Sequence, residues 1–287
     1  QYTRLVRLRA ENKVIIFESD QLLEIAVRQE LVKPSGRILS QLSGGLIVRP
    51  WEVKRKQLMQ ALDAFAKNST DNTICWCDIY PDNPLKDRSI FGILVRCDVA
   101  INVRLNQKKQ ANEVVYNNWL KIRGQYVGNA TRVNFRKQLE LEKYGSAKLA
   151  QDIILKVKDG ELTEWHPLYC ELIKNPGLYL KSHMPNIVDF EPIVVDFYKS
   201  SYFTDLPIND ISVTLFAEKL CGNEDIKQSD QADIDNIAAF LPYINYMVID
   251  KSMADKVNKH KLDKKYSTNL IHLRELNKVI EIAEAVT

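Results

Sequence analysis

Asp233-Ile-Asp-Asn-Ile-Ala-Ala-Phe-Leu-Pro-Tyr-Ile-Asn-Tyr-Met-Val-Ile-Asp250 is the stretch that decides the fold. It reads as a short helix over Ala232 to Phe240, then a strand over Tyr246 to Ile249. Asp250 falls where that strand ends, and Asp233 sits on the helix that leads into it. In an open α/β sheet, ligands and metals collect beyond the carboxyl ends of the strands. A carboxylate at that point, with a second brought back by the preceding helix, is a common way to hold a divalent metal. Nuclease-type chemistry is therefore the expectation the rest of the chain has to meet.

Working outward, the C-terminal part alternates. A helix over Ser252 to Lys259, a strand over Asn269 to Leu273 and a final helix follow Asp250. Strands alternating with helices argue a parallel sheet. At the other end, Lys13-Val-Ile-Ile-Phe17 is a compact apolar run that reads as a strand. Ser19 suits an N-cap, and Leu22, Leu23, Ile25 and Ala26 give the following helix a buried stripe. Pro34, Ser35 and Gly36 break the chain, a short helix over Arg37 to Leu42 ends at Gly44-Gly45, and Leu46 to Val48 suits another strand. Trp51 to Phe65 has the spacing of an amphipathic helix.

The middle reads differently. Asn68 to Asp87 is a loop by its Asn, Asp and Pro content, and Ile90 to Val103 suits either helix or strand. Gln110 to Ile122 and Thr131 to Lys158 are helical by period, with Trp119, Phe135, Leu139 and Ile153 facing inward. Their charged faces, with Lys121, Arg123, Arg132 and Arg136, suit solvent and, as a second reading, RNA. Pro185 to Pro192 is a loop, and Ile208 to Leu220 a helix with Asn209 or Asp210 near its start, closed by Cys221-Gly222. The expected organisation is a split α/β core, residues 1–66 and 201–287, around a mostly helical insert, residues 67–200.

Composition narrows the function classes. With 287 residues, 45% of them apolar, the chain can bury a substantial core. No unbroken apolar run is long enough to span a bilayer, which predicts a soluble protein with no membrane partner. The net charge of +3 is close to neutral, so any polyanion contact must come from a local basic patch. Five scattered cysteines fit a reducing cytoplasm better than a disulfide scaffold.

The acid before Leu241-Pro-Tyr243, and the second acid at the end of the following strand, resemble the PIN-domain superfamily. More narrowly, they resemble the divergent PIN-like proteins of bacteria, in which a Pro-Tyr pair precedes that strand. Lys13 to Glu24 is similar to the family's second strand and acid-bearing helix, and Tyr202-Phe-Thr-Asp-Leu-Pro207 is similar to the approach to its C-terminal half. The fold this implies is a PIN-like parallel sheet flanked by helices, with a large helical insert. The family's leading Asp closes a first strand that has no counterpart before Lys13. Gln1 to Leu8 is similar to the helix after it, so either that strand and its ligand lie upstream of Gln1 or the protein lacks the ligand and with it the activity.

The resemblance implies a hydrolase that cleaves single-stranded RNA using Mg²⁺ or Mn²⁺ held by carboxylates. By analogy with that fold, the resemblance further implies a toxin or defence effector as one role, with a neutralising protein as its partner. Carried over residue by residue, Glu24 is the helix acid, Asp233 the third acid and Asp250 the strand-end acid, with Asp235 a fallback for Asp233. Hard cations want oxygen ligands, and a bound metal activates water and offsets charge on the transferring phosphoryl group. Asn245 stands where many relatives carry Asp. The alternative function is a catalytically inactive PIN-like module that binds RNA or a protein.

Plainer roles stand beside each assignment. Glu24 suits an exposed helix position, Asp233 a helix start favoured by the dipole, and Asp250 a cap for the next helix. Lys251, Lys256 and Lys259, followed by Lys261, Lys264 and Lys265, suit either a phosphate-binding rim or a solvated face. Tyr243, Tyr246 and Tyr266 suit base stacking or the core, while Leu241, Met247 and Ile249 read as core. Cys75-Trp-Cys77, Cys97 and the His166–Cys170 pair fit no common zinc spacing. His183, His260 and His272 have no catalytic partner spacing. There is no phosphate-binding glycine loop.

Overall fold

Helical periodicity governs most of the chain. In a computed structural model, the described residues are 1–11, 13–16, 38, 41–43, 48–69, 110, 113–114, 116–124, 135–222, 224–227 and 229–285. Helices α1 (Tyr2–Ala10), α2 (Pro50–Lys67), α3 (Phe135–Lys143), α4 (Gly145–Lys158), α5 (Asn175–His183), α6 (Glu191–Lys199), α7 (Pro207–Cys221) and α8 (Asp230–Phe240) come first. Strand β1 (Tyr246–Val248), helices α9 (Lys251–Lys259) and α10 (Leu262–Lys265), strand β2 (Asn269–Ile271) and helix α11 (Leu276–Ala285) complete the order. Among the described residues the fold is mostly helical with a small parallel sheet of two strands, which is α/β in the coarse sense expected. No helix among the described residues is long and apolar enough to cross a membrane.

The chain divides into two compact units. One draws on Gln1–Val53, Cys75–Gly124 and Asp225–Thr287, and the other on Lys54–Ile74 and Gln125–Glu224.

In the first unit, β1 and β2 pair in parallel with Tyr246 opposite Asn269, Met247 opposite Leu270 and Val248 opposite Ile271. A parallel pair cannot close through a tight turn, and here α9 and α10 provide the crossover. The Thr268 hydroxyl, just ahead of β2, donates to the carbonyls of Leu241 and Ile244. That ties the entry of β2 to the turn that enters β1. β2 stops at Ile271, two residues short of the expected end. The His272 amide donates to Glu275 Oε2 (3.2 Å) and the Glu275 amide returns to the His272 carbonyl (2.8 Å). Such a reciprocal box starts a helix and so ends a strand.

The same unit joins α1 to α11. Leu8 and Ile280 are fully buried, with Ala283, and Leu5, Val14 and Leu276 pack against them. Full burial of such side chains is worth about 2 kcal/mol each. Around this seam Arg4 grips Glu284 with two nitrogens (3.0 and 2.6 Å), and Arg7 reaches the same carboxylate (2.7 Å). The strand expected over Lys13 to Phe17 is absent from its described part. Lys13 to Ile16 run without strand structure, the Lys13 amide returning to the Leu8 carbonyl (2.9 Å) while Val14 packs on α1 and α11. A short apolar run has too little length for periodicity to separate strand from packed loop. Ser19, Leu22, Leu23, Ile25, Ala26, Pro34 to Gly36, Gly44 to Ile47 and most of Asn68 to Val103 lie outside the described residues. Of the helix expected over Gln110 to Ile122, the described residues are helical, and Trp119 is buried.

All the regular secondary structure in the described part of the second unit is helical. α7 packs along α3, and α6 against α4 and α5. The helix expected over Thr131 to Lys158 is divided at Tyr144, and Ala147, Ala150, Ile153 and Ile154 form the buried stripe of α4. Phe197 is fully buried at the centre, with edge-on contacts to Phe65 (5.4 Å between centroids) and Phe203 (5.5 Å). The loop expected over Pro185 to Pro192 ends early, because the Asp189 carboxylate accepts the Glu191 amide (3.0 Å) and starts α6 there.

A wide turn of π-helix, Cys170–Lys174, runs into α5, whose second residue is Pro176. Pro176 has no N–H to return to the Leu172 carbonyl four residues back. That carbonyl instead accepts the buried Tyr198 hydroxyl at 3.0 Å. Next to it, Gly177 leaves room for the Phe190 ring, which any Cβ would overlap.

Two predictions follow from this packing. Tyr198→Phe strands the Leu172 carbonyl and should destabilise the chain by about 1–3 kcal/mol, read from the denaturant midpoint at unchanged slope. The hydrogen bond from Arg4, then its charge and that of Arg7, hold the Glu284 carboxyl below its ordinary value of 4.5. Its contribution is therefore complete above that pH and lost as pH falls through the lower folded value. Glu284→Gln should remove that part of the acid loss of stability; identical pH profiles for both proteins would refute it.

Candidate functional site

The carboxyl end of β1 is where the sequence placed the chemistry. After Val248 the chain stays extended. Asp250, at φ −70° and ψ 159°, is the N-cap of α9, its Oδ1 accepting the Met253 amide at 3.1 Å. Its side chain is exposed. Of the two expected roles, the one seen here is the helix cap, made by a carboxylate that also stands just past the end of the strand. A carboxylate has about four lone-pair sites, so one amide leaves acceptor capacity for a cation. The positive end of the helix dipole favours its negative charge.

Asp233 lies in the first turn of α8 and is half-buried, its amide donating to the Ser229 carbonyl (3.0 Å). Asp235 is exposed and accepts from Gln231 Nε2 (2.9 Å), one turn back along its own helix. Glu24 lies outside the described residues. Among the described residues no group of three or more His, Cys, Asp or Glu is gathered as a metal site. The donors themselves, carboxylate oxygens at a strand end and a helix start, are of the type that Mg²⁺ or Mn²⁺ takes. Asn245 serves the sheet, its carbonyl accepting both the Asn269 amide (2.9 Å) and Asn269 Nδ2 (3.2 Å).

One carboxylate escaped the sequence reading. Asp230 is buried, with 4% exposure, and its Oδ2 accepts the Lys227 amide (2.8 Å) while its own amide returns to the Lys227 carbonyl (3.1 Å). The signal was available: an acid at the very start of a helix, ahead of Ile234 and Ile237.

The lysines do not share one environment. Lys251 and Lys259 are exposed, as are Lys261, Lys264 and Lys265. Lys256 is buried, with 7% exposure, and its ammonium donates to the Ser252 carbonyl (3.2 Å) and hydroxyl (2.9 Å). It therefore cannot serve as an outward phosphate contact beside Lys251 and Lys259. Leu241 and Met247 are core residues as expected, Ile249 is half-buried, and Tyr243, Tyr246 and Tyr266 are half-buried.

Three of the described histidines, His166, His183 and His260, have structural employment. His166 caps the turn at Pro167–Tyr169, its Nδ1 accepting the Leu168 amide (3.3 Å). His183 Nδ1 meets the Tyr179 carbonyl (2.9 Å), and His260 closes α9. Cys170 and Cys221 are free thiols, and burial, then Glu218 and Glu142, push the Cys221 thiol up. Cys75, Cys77, Cys97 and Arg132 lie outside the described residues, while Lys121 and Arg136 are exposed and Arg123 is half-buried. Compared with family models, curated proteins and solved structures, the chain has no match in any of the three.

Proposed function

We propose that this chain is a PIN-like, metal-dependent ribonuclease whose working end is the carboxyl end of β1. The observation that carries the reading is the placement of Asp250. It ends a strand of a parallel pair, with α8 and Asp233 leading into that strand and α9 leaving from it. Asp250 and Asp233 would hold the cation, Mg²⁺ or Mn²⁺, with Glu24 as third ligand and Asp235 as the alternative to Asp233. When bound, such a cation lowers the pKa of an attacking water and offsets the charge on the phosphoryl oxygens. The chain's own part is to fix the carboxylates: the Met253 amide orients Asp250, and the first turn of α8 sets Asp233.

A second reading has its own support. Asp250 Oδ1 is already committed to the Met253 amide, which is what a helix cap in a non-catalytic PIN-like module binding RNA or a protein would show.

Asp250→Asn separates the two, because asparagine caps a helix as well as aspartate does but carries no charge for a cation. Under the ribonuclease reading, Mn²⁺-dependent cleavage of single-stranded RNA should fall about a hundredfold or more, with the thermal midpoint unchanged. Asp250→Ala should lose cleavage and about 1 kcal/mol of stability together. Equal cleavage by wild type and Asp250→Asn refutes a catalytic role. Retention of RNA without cleavage by either supports the binding module.

A further inference from the structure

Residues 251–265 hold six lysines against two aspartates, more net positive charge in that segment than the +3 of the whole chain. The structure sorts them. Met253, Ala254, Val257 and Leu262 are buried and fix the inward face of α9 and α10. Lys251, Lys259, Lys261, Lys264 and Lys265 are exposed, and Lys256 is the one turned inward. Of the two acids, Asp263 has a buried Oδ1, which leaves Asp255 as the exposed one. Lys251 and Lys259 are eight residues apart on one helix, so about 12 Å of axis separates them, and Lys261 to Lys265 continue the run beyond the end of α9.

Lys261 adds a different observation. Its φ of 56° puts it in the left-handed region, where α9 stops and α10 starts. Glycine or asparagine meets that conformation more easily. A lysine there gives up some local stability and places an exposed ammonium between α9 and α10.

We propose that the exposed lysines of α9, α10 and the turn between them form a ridge for the phosphodiester backbone of single-stranded RNA. The ridge holds the strand by charge, without reading bases and without metal, so that it meets Asp250 at one end. The choice of RNA rests on the ribonuclease reading above, which the ridge deepens by assigning how the substrate is held. A membrane surface fits less well, because the apolar side chains of α9 and α10, Met253, Ala254, Val257 and Leu262, are buried rather than presented beside the lysines. Phosphate recognition of this kind takes its free energy from released counterions and carries a steep dependence on salt.

The test is binding of a labelled oligouridylate by the full chain in EDTA, titrated with KCl by fluorescence anisotropy. Each lost contact should lower the slope of log affinity against log salt by about 0.7, so Lys261→Gly/Lys264→Gln/Lys265→Gln should lower it by about 2. Affinity at fixed low salt should weaken about tenfold or more. Lys251→Gln/Lys259→Gln should act in the same direction. Lys148→Gln, exposed on the other unit, should change neither quantity. Lys261→Gly alone should weaken binding while raising or preserving the thermal midpoint, which excludes loss of folding as the cause. The proposal is overturned by a wild-type chain that does not bind RNA, by unchanged slopes in the ridge variants, or by phosphatidylserine vesicles retained in preference to RNA. Because binding is read without metal, this result stands apart from the Asp250→Asn cleavage result, and either can fail alone.

Discussion

One hydrogen bond, from the Met253 amide to the Asp250 carboxylate, fixes where β1 ends and where α9 begins. β1 has only three paired residues, so it has little register of its own to spare. The cap sets the rotational phase of α9, and one residue of slip would turn the helix by about 100°. In the observed phase Met253, Ala254 and Val257 go inward and Lys251 and Lys259 go outward. The Thr268 hydroxyl then closes the loop, returning β2 to the carbonyls of Leu241 and Ile244 so that the two strands enter side by side. A cap of this kind is worth about 1 kcal/mol, small against the core, yet it decides which residues the strand end presents.

The helical unit shows the same economy of polar groups. The Leu172 carbonyl and the Ile208 amide would each be left unpaired by a neighbouring proline or by a helix start. The Tyr198 hydroxyl serves the first, and Gln57 Oε1, fully buried on α2, serves the second at 3.0 Å. In both cases the partner is distant in sequence, 26 and 151 residues away. Burying a polar side chain to meet such a group costs less than leaving the group dry, which is about 1–3 kcal/mol. These bonds make the arrangement of the helices specific in a way the apolar stripes alone do not.

How much of this was legible in the sequence follows from the range of each interaction. The helices α2, α7, α8 and α9 and strand β1 were readable because their signals are local: Trp51 to Phe65 and Ser252 to Lys259 carry an apolar stripe, and Ile208 to Leu220 is apolar round most of its surface. The described part of Lys13 to Phe17 is not a strand. Of its described apolar residues Val14 packs against α1 and α11, which depends on Ile280 and Leu276, more than 260 residues on, while Ile15 is exposed. At the candidate site, the positions of Asp250 and Asp233 were legible from the strand and helix around them. The double use of Asp250, the burial of Lys256 and the anchoring of Asp230 were not. Each turns on which face of a helix is covered and on amides only a few residues away, which spacing by itself leaves open.

The burial of Lys256 and the exposure of its neighbours also explain why net charge is a poor guide here. At ordinary salt, electrostatic influence fades over about 10 Å. A phosphate near α9 therefore responds to Lys251, Lys259, Lys261 and their neighbours, and hardly at all to a chain-wide sum of +3. Holding Lys261 left-handed costs of order 1 kcal/mol, and the exposed lysines repel one another besides. Stability alone would favour glycine at 261 and a more even mix of signs over 251–265. The segment departs from both preferences in the same direction, toward concentrated positive charge beside the Asp250 carboxylate.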